Sequence, residues 1–287
     1  MINKPVVFVV NGREYRSDTG FFHTGVKKTY TVRTKEGYEF SATENHKVMR
    51  KGGRYVEVSW LQVGDELELH NHEDVTWEGK GSCEEGWLVG NFVGDGCFSN
   101  NKALLCYWGE DRNDVALFAK NLMDSCLSLR SDAHGHESKC HDKTIFSSTD
   151  LKSRMETLVS PGKILLPEIE TYSAEFYKGF LRGWFDAYGC VLMNEEKGRS
   201  VRLSSSTMSH LQMVQRMLIR LGIYSKIYRN RRAEQYRDLP DGKGGLKSYL
   251  CKAQHELVVS RDQIVIFRNR IGFSNPRKAS LKTQFCF

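Results

Sequence analysis

Leu88-Val89-Gly90-Asn91-Phe92-Val93-Gly94-Asp95-Gly96 and Leu181-Arg182-Gly183-Trp184-Phe185-Asp186-Ala187-Tyr188-Gly189 decide how this chain folds. Gly86, Gly90 and Gly94 recur every four residues, and Gly179, Gly183 and Ala187 repeat the pattern in the same register. Residues four apart share one helix face. A face almost without side chains lets two backbones approach closely. Each helical glycine costs about 1 kcal/mol relative to alanine. Three in one helix therefore require a compensating contact, and a tightly packed partner helix supplies it. Two unrelated glycine-rich helices are the alternative, and the shared register argues against them.

The flanks of the two stretches also correspond. Ser82 and Glu85 form a capping box ahead of the first helix, and Ser173 can cap the second with Glu175 in its first turn. Strand-like segments and another helix follow each: Ala103–Trp108 and 114–129 after the first, Cys190–Met193, Ser200–Ser204 and Met208–Leu221 after the second. Tyr224–Arg229 and Glu256–Ser260 read as strands, and Gln263–Ile271 as a helix. From about residue 80 onward the chain reads as one α+β unit used twice. Before that it reads as all β: Val6–Val10, the Asn11-Gly12 turn, and alternating segments at 29–34, 38–43 and 54–58. The polar stretch 70–80 reads as a linker.

The 287 residues hold 40% apolar and 27% charged residues, enough for a sizeable core and against wholesale disorder. No apolar run approaches the roughly 18 residues of a membrane span, and no signal-peptide core is present. Eight cysteines are too dilute for a disulfide scaffold. They read as reduced thiols in a cytosolic protein. The net charge of +7 is unevenly spread. Residues 199–287 hold 18 Lys/Arg and 5 Asp/Glu, 18 − 5 = +13, which leaves 7 − 13 = −6 for the rest. Such a segment points to an anionic partner, nucleic acid first, with a solvated basic face as the alternative.

The paired stretches resemble the two LAGLIDADG motifs of the homing endonucleases. That resemblance implies two helices packed at a pseudo-dyad, each followed by an antiparallel sheet. The sheets form a saddle over the DNA major groove. It implies two αββαββα-like subdomains, about 79–170 and 171–287, in an endonuclease domain spanning 79–287. The helix interface falls on Gly86, Gly90, Gly94, Gly179, Gly183 and Ala187. The eighth motif position carries an acid in each helix of the family, and the two acids hold divalent metal at the scissile phosphates. Asp95 fills that position in the first motif and is the expected ligand of Mg²⁺ or Mn²⁺. Tyr188 fills it in the second. A phenol, with a pKa near 10, is a poor Mg²⁺ ligand. Asp186 lies ~200° around the helix from that position and cannot simply take over. The expectation is cleavage that is weak, limited to one strand or absent, with DNA binding retained. Lys163 and Lys278 sit in blocks similar to those that carry the family's active-site lysines. Lys226, Arg229, Arg231, Arg232, Arg237 and Lys247 are the expected contacts to a long, specific double-stranded DNA site. The expected state is a monomer with an internal pseudo-dimer.

The first 78 residues resemble part of a Hint, or intein splicing, module. The segment from Phe22 to Tyr30, the Thr43-x-x-His46 block and Trp60–Leu67 carry this resemblance. It implies that Thr43 and His46 polarise a peptide bond at a splice junction. The chain starts Met1-Ile2-Asn3 and ends Gln284-Phe285-Cys286-Phe287. The first splicing nucleophile and the C-terminal splicing blocks are thus missing, so no autonomous splicing is expected, and a separate C-terminal intein segment is a candidate partner. A DNA-binding remnant without cleavage and a fragment of a splicing intein remain the alternatives to an active enzyme. His134–His141 reads as a polar surface loop rather than a metal cluster. Gly242–Gly245 reads as a flexible loop rather than a phosphate cradle.

Overall fold

Ser82 caps the first helix, its hydroxyl accepting from the Glu85 amide at 3.2 Å, which is one half of the expected capping box; the Glu85 carboxylate accepts from Arg154 at 3.4 Å. The computed structural model describes residues 3–10, 13–70, 76–108, 112–127, 136–140, 143–194, 198–240 and 244–280. Six strands come first: β1 (Val6–Val10), β2 (Arg13–Ser17), β3 (Thr29–Arg33), β4 (Glu39–Thr43), β5 (Lys47–Arg50) and β6 (Arg54–Glu57). They pair as three antiparallel hairpins, β1–β2, β3–β4 and β5–β6. The Asn11-Gly12 turn lies outside the described residues, but Val10 pairs with Arg13 across it. Val58 is the single buried apolar residue up to position 80 among those whose side chains are described. Two-stranded hairpins are marginal alone. The β3–β4 turn gains support from the far side of the chain: the Glu36 carbonyl accepts from the Ile227 amide at 2.9 Å and from Gln215 Nε2 at 3.0 Å.

The first repeat is α1 (Cys83–Asp95), β7 (Gly96–Phe98), β8 (Ala103–Trp108), α2 (Arg112–Cys126), β9 (His136–Cys140), β10 (Lys143–Ser148) and α3 (Thr149–Glu156). A short β11 (Val159–Ser160) and β12 (Ile164–Leu165) lead to the second repeat. That is α4 (Ala174–Tyr188), β13 (Gly189–Asn194), β14 (Gly198–Ser205), α5 (Met208–Arg220), β15 (Lys226–Arg232), β16 (Gln235–Pro240), β17 (Leu246–Cys251), β18 (Gln254–Ser260), α6 (Gln263–Arg270) and α7 (Pro276–Ser280). The two four-stranded sheets share one order, β7-β8-β10-β9 and β13-β14-β18-β15, all antiparallel.

α1 and α4 pack backbone to backbone. A Cβ on Gly90 would overlap the Phe180 carbonyl oxygen and lie 2.8 Å from its carbon and 2.9 Å from the Trp184 amide nitrogen. A Cβ on Gly183 would overlap the Trp87 carbonyl oxygen and lie 2.9 Å from the Asn91 nitrogen. These neighbours correspond across the two motifs, so the contact is a pseudo-twofold. They advance together along both helices, which therefore run parallel and end side by side. Trp87, Phe92, Phe176, Phe180 and Phe185 are buried around this seam.

Several elements differ from the sequence expectation. The helix expected at 114–129 runs Arg112–Cys126. The strand β10 and helix α3 are built from Lys-, Ser- and Thr-rich segments with weak apolar periodicity, and only Thr144, Phe146, Ser148, Leu151 and Met155 turn inward. The basic segment 226–252 divides between the second sheet and a separate hairpin. Lys226, Arg229, Arg231 and Arg232 lie on β15, whereas Arg237 and Lys247 lie on the separate hairpin β16–β17 inserted before β18. A register shift between Tyr228 and Arg232, with Asn230 at φ 48°, turns the chain out of the sheet there. Of the segment 134–141, residues 134, 135 and 141 lie outside the described residues, as do Gly242, Lys243 and Cys286.

Candidate active centre and DNA-facing surface

The parallel packing of α1 and α4 brings their C-terminal ends together, and with them Asp95 and Tyr188. Asp95 is partly buried, and burial pushes its carboxyl pKa up, against the opposing pull of the Lys278 and Lys163 ammonium groups. Burial also raises the Tyr188 phenol, and the Asp95 charge raises it further. Tyr188 is 57% exposed and stays a neutral phenol at pH 7.

The two lysines close the helix ends. Lys163 Nζ donates to the carbonyls of Gly94 at 2.6 Å and Gly96 at 2.8 Å. Lys278 Nζ donates to those of Phe185 at 3.0 Å and Asp186 at 2.6 Å. Cations belong at helix C-termini, where the last carbonyls lack partners. Lys163 reaches its place from a tight turn before β12, with φ 61°; burial lowers its pKa while Asp95 holds it up. The four positions Asp95, Tyr188, Lys163 and Lys278 therefore form one cluster.

Asp186 is not at this surface. It is 5% exposed, and every partner is a donor: Trp87 Nε1 at 2.8 Å, the Ser274 amide at 3.0 and 3.1 Å, and the Asn275 amide at 3.2 Å. Burial raises its pKa, and these donors oppose the shift. Its identity as a structural tie could be foreseen from its helix angle, but its partners could not.

Divalent metal is the group that a phosphodiesterase reading implies. Among the described residues, no group of three or more His, Cys, Asp or Glu could hold one. The side chains at the helix ends are one carboxylate, one phenol and two ammonium groups, and of these the carboxylate alone is a ready ligand, an ammonium having no lone pair. That fits Mg²⁺ only where substrate phosphate oxygens and water complete the shell, which is how Mg²⁺ is commonly bound. Asp95 is the residue that would hold it.

An acid whose folded pKa is raised loses stability as pH climbs from its ordinary value of 3.8 through the raised one. Asp95→Asn should thus melt at a higher temperature than the parent at roughly pH 8, with the gap closing toward roughly pH 4. Thermal melts at the two pH values test this, and equal melting at the higher pH would contradict it.

The outer faces of the two sheets differ in charge. On the second, Leu203, Leu257 and Ile227 point into the core, so their neighbours Arg202, Glu256, Lys226 and Tyr228 point out. Lys226 Nζ and Arg231 Cζ lie 5.0 and 5.4 Å from the Tyr228 ring centroid. Glu256 pairs with Arg202 at 3.1 Å and Arg231 at 3.6 Å. On the first sheet the outer face holds Cys97, Leu104, Cys106 and Trp108, with Lys143 Nζ 5.1 Å from the Trp108 ring centroid. Tyr228 stood out in the sequence as one of the tyrosines interleaved with the basic run, whereas Arg202 and Trp108 did not, although alternation with buried neighbours was the available signal. On the inserted hairpin, Lys247 Nζ lies 5.8 Å from the Tyr249 ring centroid. Thr43 ends β4 and donates to Asn45 Oδ1 at 2.9 Å, while His46 is exposed in the following turn.

The chain has relatives among known proteins. It is 29% identical over 252 residues to the NrdEB alpha subunit of ribonucleoside-diphosphate reductase from Bacillus subtilis (strain 168), covering 80% of this chain and 23% of that protein. It is 25% identical over 283 residues to the A subunit of DNA gyrase from Mycolicibacterium flavescens, covering 91% and 46%. The chain thus spans between about a quarter and a half of these relatives' lengths. Among solved structures, the homing endonuclease I-WcaI bound to its DNA recognition sequence shares 14% identity at a TM-score of 0.44, covering 71% of this chain and 88% of that one. I-DmoI in complex with DNA and Ca shares 17% at 0.43, covering 70% and 97%. No described helix is long and apolar enough to cross a membrane. Residues 175–272, which run from the first turn of α4 to the end of α6, match the family model of the LAGLIDADG-like domain.

Proposed function

We propose that the chain is an intein-associated homing endonuclease of the LAGLIDADG type, acting on a long, specific double-stranded DNA site with Mg²⁺ or Mn²⁺, its cleavage impaired by Tyr188. The observation that carries this reading is the pair of parallel glycine-faced helices, whose ends gather Asp95, Lys163 and Lys278 between two sheets of the same strand order. Asp95 would hold the metal, which would supply an activated water and neutralise phosphate charge. Lys163 and Lys278 add positive charge beside the scissile phosphate. The phenol of Tyr188 adds no charge, so the half-site it faces is cut slowly or not at all. The outer faces of the sheets lie along the major groove, with Lys226, Arg229, Arg231 and Arg232 on phosphates and bases and Arg237 and Lys247 extending the contact. The endonuclease domain spans 79–287, and residues 1–78 are part of a Hint module in which Thr43 and His46 belong to the splice-junction site. The long matches to a reductase and to a gyrase are what an element embedded in unrelated host proteins would give.

The deciding experiment is a plasmid assay on a target selected from a random library. Metal-dependent nicking that exceeds linear product supports the reading, and retained binding without any cleavage selects the remnant instead. Tyr188 is the observation that favours that second reading. The basic strand gives a separate check. Replacing both Arg229 and Arg232 by Ala should reduce the slope of log affinity against log salt by about 2, one for each phosphate no longer neutralised. An unchanged slope would move the DNA away from β15.

A further inference from the structure

The pseudo-twofold that relates the two motifs breaks down in how each half delivers its lysine. In the first half, Lys163 sits in a tight turn, and the residue of α1 that corresponds to Asp186 is Val93, whose side chain forms no hydrogen bonds. In the second half a chain of polar contacts starts from a buried carboxylate. Asp186 accepts from the Ser274 and Asn275 amides. The Asn275 side chain then accepts from the amides of Arg277 at 3.0 Å and Lys278 at 3.3 Å, which caps the start of α7. Lys278 rides on that turn, and its Nζ returns to the carbonyl of Asp186 itself. Upstream, Arg182 Nε donates to the Ile271 carbonyl at 2.6 Å and ties down the other end of the same segment. α7 has five residues and little apolar surface to hold it in place.

We infer that Asp186 is a positioning residue for Lys278: its carboxylate clamps the 274–275 turn so that the ammonium group is held at the end of α4, beside Asp95. This rests on the reading of Lys278 as part of the active centre, but the clamp can be tested without cleavage. The competing role for Asp186 is a simple tie between helices through Trp87, which would hold α1 to α4 and leave Lys278 indifferent. The two roles separate by their donors: Trp87 Nε1 makes the tie and the Ser274 and Asn275 amides make the clamp, while Oδ2 accepts from both Trp87 and Ser274.

The test is acylation of the whole chain with N-hydroxysuccinimidyl acetate, read per lysine by mass spectrometry. Lys163, equally engaged with two carbonyls at the other helix end, is the internal control. In Asp186→Asn, Lys278 should be modified about tenfold faster than in the parent while Lys163 is unchanged, as expected when charge-assisted hydrogen bonds holding a local segment are removed. Trp87→Phe, which removes the hydrogen bond between helices together with part of the buried indole and leaves the 274–275 amides in place, should leave the Lys278 rate as in the parent. Asn275→Ala, which breaks the next link, should release Lys278 as Asp186→Asn does, and it serves if Asp186→Asn does not fold. An unchanged Lys278 rate in both Asp186→Asn and Asn275→Ala would overturn the inference. So would a parallel rise at Lys163, which marks general loosening. In the nicking assay, Asp186→Asn combined with Lys278→Met should be no slower than Lys278→Met alone, since both act through one group. A parent that fails to nick would count against the proposed activity, and the acylation pattern would still decide the clamp.

Discussion

Gly90→Ala is expected to destabilise the chain by about 3–5 kcal/mol, a large part of a typical folding free energy of roughly 5–15 kcal/mol. Two effects oppose each other at this position. Alanine is the better helix former by about 1 kcal/mol, so propensity alone predicts a gain. Packing predicts a loss, because the new methyl group would collide with the Phe180 carbonyl and approach the Trp184 amide at 2.9 Å. Those are backbone atoms inside a helix, and no rotamer change relieves them. The helices would have to move apart, and the aromatic side chains packed along the seam would separate with them. The local strain of overpacking is usually about 1–3 kcal/mol, and the whole interface adds to it here. Gly183→Ala should behave alike, since its Cβ meets the Trp87 carbonyl in the corresponding way. At roughly 2–4 °C per kcal/mol for a domain of this size, the melting temperature should fall by about 6–20 °C in each variant. A melting temperature at or above the parent's would mean that propensity wins and the helices do not pack this closely.

The same glycines explain why much of the fold could be read from the sequence. A helix glycine is unfavourable alone, so three in register carry information that ordinary apolar residues do not. Gly90 and Gly183 pointed to a helix pair before any strand could be placed. The caps at Ser82 and Ser173 were legible for a similar reason: both have a side-chain oxygen that accepts from an amide three residues on. Strands β9 and β10 and helix α3 were not legible, because a surface strand over a one-sided core needs few apolar positions. Phe146 and Leu151 are too sparse to set a period. The β16–β17 hairpin was hidden by its own exposure: Tyr236 and Leu246 are each 71% exposed and alternate with nothing buried. At the centre, the motif register led to Asp95 and Tyr188, and the resemblance of two further blocks led to Lys163 and Lys278. Register does not reveal the third dimension, so Asp186 was seen only as an acid on the wrong side of the helix. Its partners lie 88 residues or more away in sequence and become visible only once the chain is folded.

Tyr188→Asp is expected to raise metal-dependent cleavage on the order of 10²-fold, about what one well-placed charged group contributes to such a reaction. The position suits the change. Tyr188 is exposed at the end of α4, so removing its ring empties no core, and Asp95 faces it from the end of α1. The new carboxylate would double the anionic charge available to a divalent cation. It would also repel Asp95, whose ionisation burial already disfavours. The gain in metal affinity and the loss of apo stability thus share one cause and should appear together. In EDTA the variant should melt below the parent. Millimolar Mg²⁺ or Mn²⁺ should raise its melting temperature more than the parent's, because binding to the folded state alone stabilises it by mass action. This thermal comparison requires no DNA target. On a selected target, the proposed function predicts a higher ratio of linear to nicked plasmid, because it assigns the slow half-site to position 188. A variant that shows neither the metal-dependent gain in melting temperature nor more linear product would place the defect elsewhere. Lys163 and Lys278, two positive charges beside the single carboxylate of Asp95, would then be the groups to change next.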